Sequence, residues 1–149
     1  YFERYLLQRH CVNSHFGLIG DKLMLLYLVL HLQLLLQPLQ EEIDYARKYF
    51  NEHYNEDISI EEYAQSRGMS VSWFLRNFKQ MTMKSPMQYI LTIRINNAVS
   101  LLETTDYNVT EISTIVGYEN PLYFSRIFKK QKGLSPSDYR KSLAERNKR

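Results

Sequence analysis

Apolar residues recur along most of this chain at intervals of three and four, the spacing of a helix with one buried face. Ile43, Ala46, Tyr49 and Phe50 follow this spacing, and no stretch shows the sustained alternation of a half-buried strand. Only five Gly and four Pro interrupt the 149 residues. The pattern therefore predicts an all-α protein.

Local signals then predict a pair of short helices. Ser59 and Glu62 have the spacing of a capping box that begins a helix, and Gly68 can end it in a left-handed conformation. Ser70 can cap another helix almost at once. Two short helices joined by so tight a glycine-containing turn are typical of a helix-turn-helix.

A second helix-turn-helix is predicted further along the chain. Asn108 or Thr110 can begin its first helix, Gly117 can end it, and Asn120 can cap the next helix with Pro121 at the first position. In each pair a small residue stands four positions before the glycine, where it lets the two helices approach closely. These residues are Ala64 and Ser113.

The two stretches are also related by an internal repeat. "FKQMTMKSPMQYI" at residues 78–90 matches "FKKQKGLSPSDYR" at residues 128–140 with an offset of 50. Such a repeat indicates one scaffold used twice. The identical pairs are Phe74 and Phe124, Arg76 and Arg126, Phe78 and Phe128, Lys79 and Lys129, Ser85 and Ser135, Pro86 and Pro136, and Tyr89 and Tyr139.

A longer helix is predicted between the two copies, from Pro86 to about Glu103. Some 18 residues give it a length of about 27 Å, so it can hold the copies apart. Its apolar residues are expected to pack on both of them: Ile90, Ile93, Ala98, Leu101 and Leu102.

The N-terminal part differs in character. Residues 1–10 are expected to form a short helix, and residues 17–36 a helix that is apolar almost all round and therefore buried. His31 and Gln33 interrupt this segment, which makes it a poor membrane span. Pro38 is expected to mark a boundary, and the chain is interpreted as a fragment whose upstream part covers the apolar helix.

Charge follows the repeat. The net charge is −5 over residues 41–69 and +4 over 70–102, then −4 over 103–120 and +7 over 121–149. Positive charge is thus concentrated in the two repeated segments, as in proteins that bind a polyanion, although a solvated basic face would give the same pattern.

The residues that often build catalytic or metal sites are sparse. Cys11 is the only cysteine, and the four histidines are scattered without the spacing of metal ligands. No glycine-rich phosphate loop and no Ser, His and Asp arrangement is present. The sequence therefore predicts no metal, no cofactor and no enzymatic activity.

Helix-turn-helix units commonly bind DNA by placing their second helix in the major groove. Helical geometry then selects the side chains that could contact it. Because the phenylalanines of each copy face the core, residues on the opposite side of the helix point away from it at 100° per residue. In the first copy these are Ser72, Leu75, Arg76 and Lys79, and in the second Leu122, Ser125, Arg126 and Lys129.

Each residue type suggests a role. Arg76 and Arg126 can donate two hydrogen bonds to guanine, and Leu75 and Leu122 can touch thymine methyls. Lysine suits phosphate. The phosphate candidates are Lys79, Lys129 and Lys130, with Ser70 and Asn120 presenting backbone amides.

Trp73 and Tyr123 occupy equivalent positions. Both could lean on the sugar-phosphate backbone or pack in a half-buried place. Tyr89 and Tyr139 are instead expected to pack against their own copies.

The segments "IVGYENPLYFSRIFKKQKGLSPSDYRK", "YAQSRGMSVSWFLRNFKQMTMKSPMQYI" and "RINNAVSLL" resemble the AraC/XylS family of bacterial transcription regulators, over about residues 40–142. The resemblance implies about seven helices, with two helix-turn-helix units (38–84 and 105–149) joined by a connecting helix (85–104). It places the recognition helices at about residues 71–81 and 121–132. It also implies that Arg94 ties the connecting helix to its neighbours.

Further expectations follow from the resemblance. Residues 1–36 are similar to the helices that follow the sensor barrel and pair subunits in sugar-responsive members. The segment 1–37 is therefore expected to be either the end of a missing sensor domain or a set of dimerisation helices, which implies a homodimer and a small-molecule effector on the missing domain. Double-stranded promoter DNA and RNA polymerase are the other partners, in the bacterial cytoplasm at the nucleoid. The alternative is a helical protein-protein adaptor that binds no DNA.

Overall fold

The computed structural model describes residues 16–146, with side chains at 21–32 and 37–146. Within that range the chain forms helices and no strands. The short helix predicted at residues 1–10 lies outside the described residues. The all-α class and the predicted number of about seven helices are confirmed. The helices are α1 (Phe16–Glu52), α2 (Ile60–Ser66), α3 (Val71–Thr82), α4 (Pro86–Thr104), α5 (Val109–Ile115), α6 (Pro121–Lys132) and α7 (Pro136–Arg146).

Pro38 lies inside α1, so the boundary expected at this residue does not coincide with the end of a helix. A proline within a helix removes one backbone hydrogen bond and costs about 3 kcal/mol. Favourable helix formers such as Leu, Gln and Glu flank it, and the helix continues through it. The chain divides into two compact units after Glu42 instead, at a point within α1.

The apolar part of α1 is exposed where its side chains are described. From Leu23 to Leu32 its large apolar side chains all lie on the surface. The stretch Asp21–Glu52 is long and apolar enough to cross a membrane. The core helix of a soluble protein shares these two properties, so the expectation of a poor membrane span stays a prediction.

The first helix-turn-helix comprises α2 and α3. Ser59 caps α2 by accepting a hydrogen bond from the Glu62 amide at 3.2 Å. The turn passes through Gly68 at a φ of 68°, and Ser70 caps α3 by accepting from the Trp73 amide. Ser59, Gly68 and Ser70 therefore begin and end these helices as predicted. Of the predicted Ser59 and Glu62 capping box, the structure shows the bond to the Ser59 side chain.

The second helix-turn-helix comprises α5 and α6. Asn108, rather than Thr110, caps α5 and forms a complete capping box with Glu111. Asn120 caps α6, and Pro121 is its first residue. The turn has one more residue than the first turn, because Glu119 stands between Tyr118 and the cap.

Both helix-turn-helix units have an aromatic core. In the first, Phe74 and Phe78 are fully buried, and the Phe78 ring meets Tyr89 edge-on with centroids 5.5 Å apart. In the second, the buried Phe128 ring meets Tyr139 in the same way at 5.8 Å. The packing role predicted for the two tyrosines is therefore confirmed.

The connecting helix α4 begins at Pro86 and ends at Thr104, as its pattern predicts. It packs against α3 of the first helix-turn-helix, against α5 of the second, and against α7. Ile95 contributes to the second core and is nearly fully buried, although it was not among the apolar residues expected to pack there. The helix thereby carries both recognition helices on one support about 28 Å long.

Candidate nucleic-acid interface

The outward face of α3 carries a mixture of polar, apolar and basic side chains. Because Phe74 and Phe78 are buried, the side chains on the opposite side of α3 face solvent, as the helical geometry requires. Leu75 is 39% exposed, which leaves its methyl groups free for contact. The exposed residues on this face are Ser72, Leu75, Arg76 and Lys79.

The outward face of α6 carries more basic residues than that of α3, and it begins with an exposed apolar residue. Leu122 is 73% exposed at the first turn, and Arg126 follows one turn later. Within the described residues neither Arg126 nor Arg76 forms a salt bridge. Both guanidinium groups are therefore available to an anionic partner. The exposed residues here are Leu122, Tyr123, Arg126, Lys129 and Lys130.

Ser125 differs from its expected placement. It is half-buried, and its hydroxyl donates a hydrogen bond to the Pro121 carbonyl at 2.8 Å on its own helix. Proline at the first helical position lacks an amide hydrogen but keeps its carbonyl, and a serine four residues on can reach it. The hydroxyl is therefore occupied within the helix rather than directed outward.

Trp73 and Tyr123, which share a repeat position, are placed differently. Trp73 is half-buried, whereas Tyr123 is 54% exposed, with its ring centroid 6.1 Å from that of Tyr118. Burial raises the pKa of Tyr118, while the Arg94 guanidinium opposes this rise. Tyr123 is therefore the more accessible of the two aromatic candidates.

The N-termini of the two recognition helices differ in their free backbone donors. The Ser70 side chain accepts only from the Trp73 amide at the start of α3. At α6 the Asn120 side chain accepts from both Leu122 and Tyr123, and Pro121 has no amide hydrogen. The first turn of α6 therefore has fewer backbone donors for a phosphate than that of α3.

The repeat register indicates one residue that the sequence-based selection missed. Gln80 is exposed on α3 at the position equivalent to Lys130 in the second copy. Shifting the selected Lys130 back by 50 positions would have found it. Glutamine at this place lowers the positive charge of α3 relative to α6.

The described residues contain no group of three His, Cys, Asp or Glu side chains arranged to hold a metal ion. Cys11, His10 and His15 lie outside the described range. The side chains on the outward faces of α3 and α6 can contact a partner through hydrogen bonds, charge and apolar contact.

Residues 63–142 match a family model described as a helix-turn-helix domain. The MmsAB operon regulatory protein of Pseudomonas aeruginosa is 35% identical over 88 residues, which are 59% of this chain and 29% of that protein. The chain therefore spans less than a third of the length of this relative.

Two solved structures share the fold. The DNA-binding domain of AdpA, described as a global transcriptional factor in complex with a target DNA, is 33% identical with a TM-score of 0.62. The match covers 73% of this chain and 95% of that one. A transcriptional regulator of the AraC-type DNA-binding group from Chromobacterium violaceum is 26% identical with a TM-score of 0.63, over 68% and 90% of the two chains.

Proposed function

Because this chain belongs to the AraC-type helix-turn-helix family of DNA-binding transcription regulators, we propose that residues 38–149 read promoter DNA sequence-specifically. In this proposal α3 and α6 enter two successive major-groove segments on one face of the duplex. The segment has no catalytic role.

The observation that carries the proposal is the repeated outward face. In both copies the phenylalanines are buried, and an arginine and a lysine on the opposite side of the helix are exposed to solvent. These cations are Arg76 and Lys79 in the first copy and Arg126 and Lys129 in the second. Nothing in the packing of the described cores requires these cations. The equivalent basic faces of α3 and α6, held by one connecting helix, suit a polyanion with a regular repeat.

The residue types suggest which side chains recognise bases and which bind phosphates. Arg76 and Arg126 can each donate two hydrogen bonds to guanine O6 and N7, and Leu75 and Leu122 can contact thymine methyls. Lys79, Lys129 and Lys130 suit phosphate oxygens. Ser70 and Ser72, with Trp73, Asn120 and Tyr123, complete the proposed contact set.

Selection from random duplex DNA, followed by footprinting, tests the function directly. We expect the protein to protect an asymmetric site of about 17–20 base pairs, because two unlike helices one turn apart span two major-groove segments. A palindrome that each monomer binds through a single helix would contradict the proposal. Failure to bind any duplex at low salt would favour a protein-protein adaptor.

Arg126→Ala and Lys129→Ala are expected to separate base reading from phosphate binding. Arg126→Ala should weaken binding to the selected site by about 1–3 kcal/mol and relax the choice of base at one position. Lys129→Ala should weaken binding to all sequences alike and lower the salt slope by about one. Isotherms on matched and mismatched duplexes at several salt concentrations measure both effects.

The first copy supplies the matched pair for this test, since Arg76 and Lys79 occupy the equivalent positions. Thermal melts establish that each variant is folded. If folded Arg126→Ala kept both its affinity and its base preference, α6 would not be a reading helix and α3 would carry the specificity.

We also propose that residues 1–36 pair two subunits. The exposed apolar side chains from Leu23 to Leu32 support this, because so continuous an apolar surface requires a cover. The whole chain is expected to sediment as a dimer, and residues 38–149 as a monomer that still binds one site. A monomeric whole chain, or one that sediments only with lipid vesicles, would contradict the pairing.

The remaining partners follow from the proposed function. Control of transcription requires that the bound protein influence RNA polymerase, and a small-molecule effector would act through a sensor domain. The proposed location is the bacterial cytoplasm, at the nucleoid. Pull-down of RNA polymerase on promoter DNA, with and without the protein, tests the first of these partners.

A further inference from the structure

Arg94 joins three parts of the DNA-binding segment. It lies on α4, and its guanidinium donates hydrogen bonds to the carbonyls of Tyr54 at 2.6 Å, Glu56 at 2.8 Å and Gly117 at 2.9 Å. The group also lies over the Tyr118 ring, 5.1 Å from its centroid. The first two carbonyls lie just before α2, and the third lies in the turn of the second helix-turn-helix.

Gly117 brings the same parts together from the other side. A Cβ atom at this position would lie 2.6 Å from the Asn55 carbonyl oxygen, so the turn and the segment before α2 are in direct backbone contact. Residues 54–56 and the Gly117 turn therefore meet around the Arg94 guanidinium. We call this arrangement the Arg94 junction.

The junction directly links the segment before the first helix-turn-helix to the turn that precedes α6. The planar guanidinium has five donors in a fixed fork, which suits three carbonyls that approach from different directions. A lysine ammonium has a similar charge but no fork, so it cannot hold all three in one geometry.

We propose that Arg94 is a positioning residue that fixes the separation of α3 and α6, so that the protein selects DNA by the distance between its two half-sites. This inference rests on the proposed function of the two recognition helices. Inserting one base pair between half-sites shifts one of them by about 3.4 Å and rotates it by about 36°. With a rigid junction α3 and α6 cannot both reach the displaced half-sites, whereas with a loosened junction they can.

The first experiment compares the selected duplex with a duplex that has one added base pair at its centre. We expect the insertion to weaken wild-type binding about 100-fold, because only one helix can then engage. For Arg94→Lys we expect weaker binding to the original duplex and an insertion penalty of less than about 10-fold.

Arg140→Lys is the matched control. Arg140 also donates to two backbone carbonyls, those of Leu102 and Thr105, but both lie at the end of α4 and just after it. This variant should keep the wild-type insertion penalty. An equal penalty in wild type and folded Arg94→Lys would overturn the proposal.

A second experiment needs no DNA and separates this inference from the proposed function. Spin labels at Gln80→Cys and Gln131→Cys, in a Cys11→Ser background, report the separation of α3 and α6 through exposed positions. We expect a narrow distance distribution in the parent and a broad one after Arg94→Lys. A distribution that stays narrow would overturn the proposal even if DNA binding were established.

If Arg94→Lys fails to fold, Gly117→Ala takes its place, because the new Cβ pushes the turn away from Asn55. This variant should show the same small insertion penalty and the same broad distance distribution. Should both variants unfold, the junction would be a requirement for folding and not a spacing device, and the proposal would be overturned. A wild-type protein that binds no duplex, yet shows the narrow and broad distributions, would overturn the proposed function and keep the rigid junction.

Discussion

Replacing Phe128 by alanine is expected to lower the free energy of unfolding by about 3–5 kcal/mol. The ring is fully buried, lies 5.8 Å from the Phe124 ring and meets Tyr139 edge-on. Alanine would leave a cavity at the centre of the second core, and small domains have only about 5–15 kcal/mol of stability in total. Chemical denaturation followed by circular dichroism measures the change.

DNA binding should be lost in the same variant only to the extent that the second helix-turn-helix is unfolded. Lys129→Ala, at the neighbouring exposed position, is the control and should leave the unfolding curve within about 0.5 kcal/mol of the parent. A loss of less than about 1 kcal/mol for Phe128→Ala would show that the second core does not depend on this ring.

Gly117→Ala is expected to lower the free energy of unfolding more than Gly133→Ala does. Both glycines adopt a positive φ, 85° and 82°, so alanine meets a similar backbone strain of about 1–2 kcal/mol at each. At Gly133 a new Cβ meets nothing within 4 Å, whereas at Gly117 it collides with the Asn55 backbone. That collision adds about 1–3 kcal/mol.

Comparing the two variants separates the cost of the collision with Asn55 from the cost of the positive φ. Unfolding curves for the two variants give the difference directly, and Gly68→Ala, with a φ of 68° and open space around it, provides a second reference. Equal losses at Gly117 and Gly133 would mean that the segment at Asn55 moves aside at little cost, and that the contact does not constrain the turn.

The sequence was most informative where local chemistry determines the structure. Ser70, Asn108 and Asn120 cap the helices that their side chains predicted, because a side-chain oxygen can satisfy amides only at a helix start. The burial of Phe74 and Phe78 followed from spacing alone, and so did the exposure of Ser72, Leu75, Arg76 and Lys79 on the opposite side of the helix. The DNA contacts assigned to those exposed residues remain predictions.

Other features depend on contacts that a linear pattern does not show. The continuation of α1 through Pro38 contradicts a strong local signal. Met83 adopts the left-handed conformation that Gly133 adopts in the second copy, and no side-chain pattern predicts this for methionine. The hydroxyl of Ser125 is held by a carbonyl one turn earlier, which helical periodicity cannot distinguish from an outward side chain.

The three acceptors at Arg94 are all peptide carbonyls, and this has a consequence for how the protein can vary. Every amino acid supplies a carbonyl, so positions 54 and 56 can change without removing an acceptor. Carbonyls also do not titrate between acid and alkaline conditions, unlike the carboxylate of a salt bridge. The three carbonyl contacts of the Arg94 junction are therefore insensitive to pH, and their chemical demands on the sequence fall on a single arginine and on the glycine that lets the backbones touch.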